Sequence, residues 1–409
     1  MVRFLSRIWL GLLRLDLIFL QSIAIAMDLS PDLRPDAPVR RHTPGYWCNM
    51  RVKVDLADRS YTVYIGSNIL GNRHPALDMS SDSTTLIVSN ETVAPIYLDA
   101  LTNSLTDAHI HSLVLPDGES FKTQEYWSQI IDKLVKIGAT RDATIITLGG
   151  GVIGDMGGFA AASYMRGINF IQVPTTLLSQ VDASVGGKTG FNHPLGKNLI
   201  GAFHQPVAVL VDIETLKTLP DREFSAGLAE VVKIAAIRDA AFLTWLESHA
   251  ASIMAREPVA LASMIKRSIA NKADVVAEDE REAGVRALLN FGHSFAHALE
   301  TLTGYRRYLH GEAVAIGMMV ASRLSELRGF CQPGLSERMA KLLHSFDLPL
   351  GLPGNIDTAD MLETMKLDKK VIAGAARLIL VKSAGHGFID SSSDKLQIAA
   401  AITASQNNT

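Results

Sequence analysis

Three histidines and one glutamate have the residue types and spacing of a metal centre. His293 and His297 stand four residues apart, so a helix would present both on one face. His310 follows, and Glu230 lies earlier in the helix-like segment SAGLAEVVK. Imidazole and carboxylate groups suit zinc and related divalent ions, and three protein ligands with an open position are the catalytic pattern. Spacing alone nominates both His293 and His297 as ligands, and histidines on a solvated helix face are the alternative interpretation.

A glycine-rich segment at residues 149–155, GGGVIGD, is a candidate phosphate loop, and it follows the apolar run TIITL. It satisfies G-x-G-x-x-G, in which glycines let backbone N–H groups approach a pyrophosphate at a helix N-terminus. A plain glycine-rich turn is the alternative, because no acidic residue ends the next β-rich segment about 20 residues later. Asn90 and Glu91, and a loop at residues 117–122, also follow β-rich segments and are candidates for holding the ribose.

Lysine and arginine residues between Arg166 and Arg286 indicate a local anion site. Lys188 follows two glycines, and Lys197 follows Pro-Leu-Gly. The chain has a net charge of −3, so basic residues in glycine-rich loops suggest binding of a specific anion rather than bulk attraction. For any single member of the set, an ordinary surface charge is the alternative.

These candidates need a framework of strands and helices. Alternation of β-rich and amphipathic segments predicts βαβ units and a parallel sheet, whose strand ends bind ligands. The β-rich segments are residues 85–89, 112–115, 144–148, 170–173 and 207–211, and an amphipathic example is 126–137. After residue 220 helical periodicity persists to about residue 346. We predict an α/β fold with a Rossmann-like parallel-sheet domain at residues 50–219 and a mainly α-helical domain at residues 220–409.

Composition excludes several classes of protein. Hydrophobic residues make up 47% and charged residues 20%, as is usual for a globular α/β protein, and the charge argues against nucleic-acid or membrane binding. The two distant cysteines, Cys48 and Cys331, indicate a reducing compartment, which we take to be the cytoplasm.

Residues 1–49 are apolar at first but include Arg14 and Asp16, which argues against a membrane span. We interpret them as a dispensable extension, with a targeting address as the alternative.

Long runs of the sequence resemble the 3-dehydroquinate synthase family, from Met50 to about Ile402. They include LGGGVIGDMGGFAAASYMRG, FIQVPTTLLSQVDASVGGKTGFNHPLGKNLIGAFHQP, GLAEVVK, LLNFGHSFAHALE, LHGEAVAIGM and LDKKV. The resemblance implies conversion of 3-deoxy-D-arabino-heptulosonate 7-phosphate to 3-dehydroquinate and phosphate, a lyase reaction of the shikimate pathway. It proceeds by transient oxidation with NAD, phosphate elimination, reduction and intramolecular aldol closure. The implied cofactors are NAD and one divalent metal, zinc or cobalt. The implied partners are a small phosphorylated sugar acid and a second copy in a homodimer, with no nucleic acid and no membrane.

The resemblance also assigns roles position by position. The implied metal ligands are Glu230, His293 and His310, which leaves His297 as a catalytic group beside the metal. The implied NAD contacts are Asn90, Asp117, Gly118, Glu119, Ser120, Phe121, Lys122, Gly151, Val152, Ile153, Gly154, Asp155, Thr175, Thr176, Lys188, Lys197, Thr215, Leu216, Lys217 and Thr218. The implied substrate contacts are Arg166, Asp182, Lys188, Lys197, Asn198, Lys233, Lys272, Arg286, Asn290, His297 and one of Lys369 and Lys370. The candidate catalytic residues are His297, Asp155, Lys188, Asn198 and Arg286.

Within this set, we assign Arg286 and Lys272 to the substrate carboxylate, and Arg166, Lys188, Lys197 and Asn198 to phosphate or hydroxyl groups. His297 is the candidate for relaying the proton of the hydroxyl that is oxidised, because a neutral imidazole suits that task near pH 7. Other functions stay open at this point. They are another sugar-phosphate cyclase, a metal-dependent polyol dehydrogenase, and a non-catalytic nucleotide-binding protein.

Overall fold

The computed structural model of the chain describes residues 47–79, 83–105, 109–366, 371–372 and 375–406. Residues 1–46 of the predicted extension lie outside this part of the chain, and so do the predicted substrate contacts Lys369 and Lys370. The first strand begins at Trp47, within the last three residues of the predicted extension.

The described residues of the first half of the chain form nine strands. They are β1 (Trp47–Val54), β2 (Tyr61–Ser67), β3 (Thr84–Asn90), β4 (His109–Leu115), β5 (Thr144–Gly149), β6 (Asn169–Pro174), β7 (Lys188–His193), β8 (Gly196–Phe203) and β9 (Ala208–Asp212). Seven of these form one sheet in the order β1-β2-β9-β6-β5-β3-β4. β1 runs antiparallel to β2, and every other neighbouring pair in the sheet is parallel. β7 and β8 form a separate antiparallel hairpin.

Helices dominate the second half of the described residues. The helices of the whole described chain are α1 (Ala94–Ser104), α2 (Gln124–Lys136), α3 (Gly151–Ser163), α4 (Asp221–Arg238), α5 (Ala240–Met254), α6 (Pro258–Glu278), α7 (His293–Leu302), α8 (His310–Leu327), α9 (Leu335–Ser345), α10 (Thr358–Lys366) and α11 (Lys395–Thr403). Four short strands follow α10, namely β10 (Val371–Ile372), β11 (Ala375–Ala376), β12 (Leu378–Ser383) and β13 (His386–Asp390). The predicted fold class, a parallel-sheet α/β part followed by a mostly helical part, is confirmed.

The sheet buries side chains on both faces, as parallel sheets do. Neighbouring residues of β5 show the alternation. Ile145 packs in a cluster with α2 and α3, whereas Ile146 packs in a cluster with α1. All six residues of β5 and all five of β9 are buried. The segment between them that contains Lys188 and Lys197 was expected to be glycine-rich loops, and this expectation is wrong. Its residues form the β7–β8 hairpin, in which Phe191 packs in one cluster with α3 and Thr189 lies against Gly158 of that helix.

Glycines allow the helices of the second half to approach closely. A Cβ atom on Gly311 in α8 would lie 1.9 Å from the carbonyl oxygen of Ala226 in α4, and one on Gly317 would lie 2.1 Å from that of Gly292. Gly292 itself has φ +80 and is the N-cap residue of α7. The backbones of α4, α7 and α8 therefore meet at distances that only glycine permits. Among the described helices, none has a stretch both long and apolar enough to cross a membrane.

We predict that Gly311→Ala destabilises the fold, although alanine alone would favour the helix. The added methyl group collides with the backbone of α4, which cannot rotate away as a side chain can. Overpacking of this kind lowers the free energy of unfolding by about 1–3 kcal/mol. Urea unfolding followed by circular dichroism measures it. Gly329→Ala is the control, since Gly329 has φ +65 but no atom within 4 Å of the added Cβ. A smaller loss for Gly311→Ala than for the control would contradict the packing argument.

Candidate active site

One carboxylate and two imidazoles converge between three helices. Glu230 lies in the middle of α4, His293 is the first residue of α7 and His310 is the first residue of α8. One potential ligand atom from each of the three lies within 4.8 Å of the others. Glu230 Oε1 is 3.8 Å from the Nε2 atoms of both His293 and His310. The structure therefore brings together the three predicted metal ligands, which are far apart in sequence.

The donor set fits a divalent metal ion. Glu230 is 4% exposed, and its Oε1 atom has no hydrogen-bond partner among the described residues. A buried carboxylate oxygen without a partner is costly. The 3.8 Å separations are too long for hydrogen bonds, but they approach the separation of ligand atoms around an ion with bonds of about 2.0–2.2 Å. A zinc-like ion between the three groups would satisfy the unpaired oxygen.

His297 lies beside this group but is not part of it. Its ring centroid is 5.6 Å from that of His293 and 6.3 Å from that of His310. The spacing of four residues in α7 predicted two equivalent histidines. The tertiary structure distinguishes them, because Glu230 from α4 and His310 from α8 both lie next to His293.

Two buried lysines and a partly exposed aspartate form a second group next to Glu230. Lys272 in α6 donates to the Asp182 backbone oxygen and to Oδ1, each at 2.7 Å, and Lys233 Nζ lies 3.9 Å from the same Oδ1. Lys233 also pairs with Glu230 one helical turn away. Asp182 lies in a five-residue π-helix, Ser179–Ala183, a rare turn that often occurs at functional sites. Predicted substrate contacts and a predicted metal ligand thus share one charge network.

This network changes the pKa values of its members. Burial, with repulsion from Lys233 and Arg286, lowers the pKa of Lys272 to about 8 even though Asp182 opposes it. Burial alone raises the pKa of Asp182, but attraction to Lys272 and Lys233 outweighs burial and holds it below its ordinary value. Lys272 therefore carries its charge at neutral pH but loses it in mildly alkaline solution.

A third group links the predicted nucleotide loop to the hairpin. Lys122 is 4% exposed and donates to Asp155 Oδ2 at 2.5 Å and to Asn198 Oδ1 at 2.7 Å. Although burial lowers the pKa of Lys122, attraction to Asp155 and Glu119 raises it above its ordinary value. Asn192 donates to Glu119 and accepts from the backbone N–H of Asn198, which has φ +52. Lys122 and Asn192 thereby fix the Asn198 side chain and backbone.

The glycine-rich segment forms the expected strand-to-helix turn. α3 begins at Gly151, and Gly150 separates it from β5. The first N–H groups of a helix have no partner within the helix, and no side chain caps them here. Cβ atoms on Gly150 and Gly151 would lie 3.2 Å from the Thr176 side chain and 3.4 Å from that of Ala183. The glycines keep this helix N-terminus accessible beside Thr176, which is another predicted NAD contact.

Gln180 holds several predicted nucleotide contacts in place. It is fully buried, and its Nε2 donates to the backbone oxygens of Pro174 and Asp212 and to Thr215 Oγ1 at 3.0–3.2 Å. These bonds join the end of β6, which leads into Thr175 and Thr176, to the 3₁₀ turn Ile213–Lys217. The sequence analysis did not identify Gln180, because an isolated glutamine carries no recognisable pattern.

The remaining nucleotide contacts lie at neighbouring strand ends. Asn90 ends β3, donates to Asp117 Oδ1 at 2.7 Å and accepts from Val93 N at 2.8 Å. Tyr97 in α1 hydrogen-bonds Thr218 Oγ1 at 2.6 Å. The segments 117–122 and 215–218 are therefore held by side chains from β3 and α1.

A further group surrounds Glu282, which the sequence analysis did not identify. Glu282 pairs with Lys188 and accepts from Asn290 Nδ2 at 2.8 Å. Arg286 nearby is 1% exposed and donates to the backbone oxygens of Gly186 and Glu280, while its Nε has no partner among the described residues. Two of the predicted anion-binding residues are thus engaged with protein groups in this state.

Arg166 lies at the opposite end of α3 from the nucleotide loop. It follows the C-terminal end of α3, whereas Gly151 starts that helix. The 13 residues of α3 separate the two by about 20 Å at 1.5 Å per residue. Its predicted contact with substrate remains a prediction.

Solved structures place this fold among the sugar-phosphate cyclases. A 2-epi-5-epi-valiolone synthase from Streptomyces hygroscopicus, solved with NAD⁺ and Zn²⁺, is 30% identical with a TM-score of 0.78, over 86% of this chain and 98% of that one. A 2-deoxy-scyllo-inosose synthase, solved with carbaglucose-6-phosphate, NAD⁺ and Co²⁺, is 24% identical with a TM-score of 0.78, over 87% and 100%. The second likeness supports the fold alone.

Sequence comparison defines the family more narrowly. Family profiles described as the N-terminal and C-terminal parts of 3-dehydroquinate synthase match residues 112–226 and 227–371. The 3-dehydroquinate synthase of Nitrosococcus oceani is 52% identical over 351 residues, covering 86% of this chain and 98% of that protein. The chloroplastic enzyme of Solanum lycopersicum is 50% identical over 335 residues, covering 81% and 76%. The chain belongs to the 3-dehydroquinate synthase family, as the resemblance predicted.

We predict that Asp182→Asn destabilises the protein at pH 7 by about 2 kcal/mol, since Asp182 is partly exposed and breaking a fully buried pair costs about 3–5 kcal/mol. The variant leaves Lys272 and Lys233 without their shared carboxylate. Because the pKa of Lys272 is about 8 and falls further without Asp182, the lysine is neutral at high pH. The deficit relative to wild type should therefore shrink as the pH rises from 7 to 9.

In the wild type, the stabilising contribution of Asp182 itself is lost at low pH rather than at high pH. Its lowered pKa contributes stability above its ordinary titration range and loses it as the pH falls through the folded-state value. Thermal unfolding at several pH values measures both trends. Asp99→Asn, which changes an exposed aspartate of α1, is the control. A deficit that grows between pH 7 and 9 would contradict the assignment.

Proposed function

We propose that this protein is a 3-dehydroquinate synthase, which converts 3-deoxy-D-arabino-heptulosonate 7-phosphate to 3-dehydroquinate and phosphate. The observation that carries the proposal is the 52% identity over 351 residues to a 3-dehydroquinate synthase, of which the match covers 98%. The net reaction eliminates phosphate and is a carbon–oxygen lyase reaction of the shikimate pathway. The convergence of Glu230, His293 and His310 supports an intact site.

Glu230, His293 and His310 are proposed to hold one divalent ion, zinc or cobalt. When bound, such an ion polarises a hydroxyl or carbonyl oxygen of the substrate. Lys233 is proposed to stabilise the ligand set, because its ammonium group balances the negative charge of the buried Glu230 carboxylate. His297 borders the group and is proposed to accept and return the proton of the substrate hydroxyl.

The NAD site is proposed to lie along the carboxyl ends of β3, β4, β5 and β6. NAD supplies reversible hydride transfer and is regenerated in each cycle. The uncapped start of α3 at Gly151 suits a pyrophosphate. Asn90 joins this edge to the segment at residues 117–122 through Asp117, and Gln180 joins it to the Thr215 turn. These bonds would keep the dinucleotide-binding surface in one conformation.

The basic residues are proposed to bind the two anionic ends of the substrate. Lys272 and Arg286 are assigned to the carboxylate, because a guanidinium can engage a carboxylate through two parallel hydrogen bonds. Lys188, Lys197 and Asn198 are assigned to phosphate and hydroxyl groups. Lys122 accounts for the Asn198 orientation, because it occupies the amide oxygen and leaves the amide N–H groups to face a phosphate.

A homodimer and a cytoplasmic location are part of the same proposal. Both come from the family resemblance and, for the location, from the two distant cysteines. Light scattering after size-exclusion chromatography measures the oligomer, and cell fractionation measures the location.

We predict phosphate release from the heptulosonate phosphate with zinc and substoichiometric NAD, and no net accumulation of NADH. His293→Ala should lose bound metal and reduce turnover by more than the roughly 100-fold that loss of an outer-shell partner can cost. Phosphate release and metal content are measured together. His109→Ala, which removes an exposed histidine of β4, is the control.

Steady formation of NADH would instead identify a polyol dehydrogenase. Phosphate release only from other phosphorylated sugars would identify a different cyclase. His293→Ala with full metal content would show that the ligand assignment is wrong.

A further inference from the structure

Glu300 is a buried carboxylate that the proposed reaction does not use. It lies in α7, seven residues after His293 and three after His297, and therefore on the same face of the helix. The residue is 4% exposed. An ionised carboxylate in such a position is stable only when it is paired and hydrogen-bonded. The side chains that pair with the Glu300 carboxylate therefore indicate its role.

Two side chains from other elements contact Glu300 Oε1. His310 Nδ1 lies 3.3 Å away, and Lys197 Nζ lies 3.8 Å away. Lys197 Nζ is also 4.2 Å from the centroid of the Tyr305 ring. Tyr305 is tied to the same helix end, because its N–H donates to the Glu300 backbone oxygen at 2.8 Å. One carboxylate thus joins the start of α8 to β8 of the hairpin.

Glu300 contacts the edge of the His310 ring that faces away from the metal group. His310 Nε2 is directed toward Glu230, at 3.8 Å, while Nδ1 is directed toward Glu300. Since an imidazole that donates through Nδ1 keeps the lone pair on Nε2, Glu300 selects the tautomer able to bind a metal. It also restricts rotation of a ring that is otherwise one-third exposed.

We propose that Glu300 is a positioning residue that holds His310 for metal binding and couples it to Lys197, an inference that rests on the proposed function. Glu300 is not a member of the ligand set itself. It acts through the His310 ring on one side and the Lys197 ammonium on the other. Binding of an anion to Lys197 on the hairpin is thereby linked to the orientation of a metal ligand.

Metal affinity of the purified full-length protein is the first test. Loss of an outer-shell partner costs about 10–100-fold in metal affinity, so Glu300→Ala should raise the zinc dissociation constant within that range. Glu300→Gln keeps an acceptor oxygen but loses the charge, and should lie between wild type and Glu300→Ala. Competition with a chromogenic chelator measures all three. Glu337→Gln is the matched control, because Glu337 is an exposed carboxylate of α9 paired with Lys341.

The cobalt form separates positioning from simple stabilisation. We expect Glu300→Ala to change the visible absorption of bound Co²⁺, since the His310 ring is no longer held, and Glu300→Gln to restore most of the wild-type spectrum. A purely structural role would lower the melting temperature of metal-free and metal-loaded protein equally and leave affinity and spectrum unchanged. That result would overturn the inference.

The coupling to Lys197 gives a separate readout. Inorganic phosphate should tighten zinc binding in the wild type and in Glu337→Gln, but not in Glu300→Ala. If Glu300→Ala does not fold, Glu300→Gln decides, and a zinc dissociation constant within twofold of wild type would overturn the inference. Failure of the proposed function is distinguishable, because wild-type protein would then bind zinc normally yet release no phosphate from the heptulosonate phosphate.

Discussion

The buried Glu230 carboxylate is the constraint on which the site depends. At 4% exposure it requires compensation, and Lys233 supplies only part of it, because Oε1 has no hydrogen-bond partner among the described residues. The two imidazoles that face this oxygen come from the first residues of α7 and α8. Close contact of α4, α7 and α8 at Gly311 and Gly292 is what makes the convergence possible.

The charges around Glu230 form a chain that joins the parts of the site. Lys233 connects Glu230 to Asp182, which lies in the π-helix turn together with Gln180. Gln180 in turn fixes the turn that contains Thr215. The π-helix turn therefore contacts the anion-binding lysines and the nucleotide segments, and Lys233 links it to the proposed metal group. A rigid connection of this kind suits a reaction in which hydride transfer and phosphate loss occur on the same bound substrate.

Much of the fold was predictable because its signals are local. The β-rich segments of the parallel sheet are nearly uniform apolar runs, and G-x-G-x-x-G marks the turn from β5 to α3. The hairpin β7–β8 was not predicted, since Lys188, Lys197 and the surrounding glycines resemble loop residues. Those glycines are needed where the two strands approach, as a Cβ on Gly190 would lie 2.2 Å from a backbone oxygen of the partner strand. Glu300 could have been noticed by its helical spacing from the histidines, whereas Glu282 and Asn192 have no pattern to reveal them.

The sequence by itself determined the family, the sheet-then-helices architecture and the types of chemical group available, because these depend on periodicity and on long matching runs. Spacing alone left His293 and His297 equivalent, the family resemblance implied which of them is the ligand, and only the tertiary structure gives the physical reason. The packing of α4, α7 and α8 decides which imidazole faces Glu230, and it is set by backbone contacts between residues far apart in the chain. The tertiary structure also lowers the pKa of Lys272 and fixes the Asn198 side chain through Lys122, since both effects arise from neighbours on other elements.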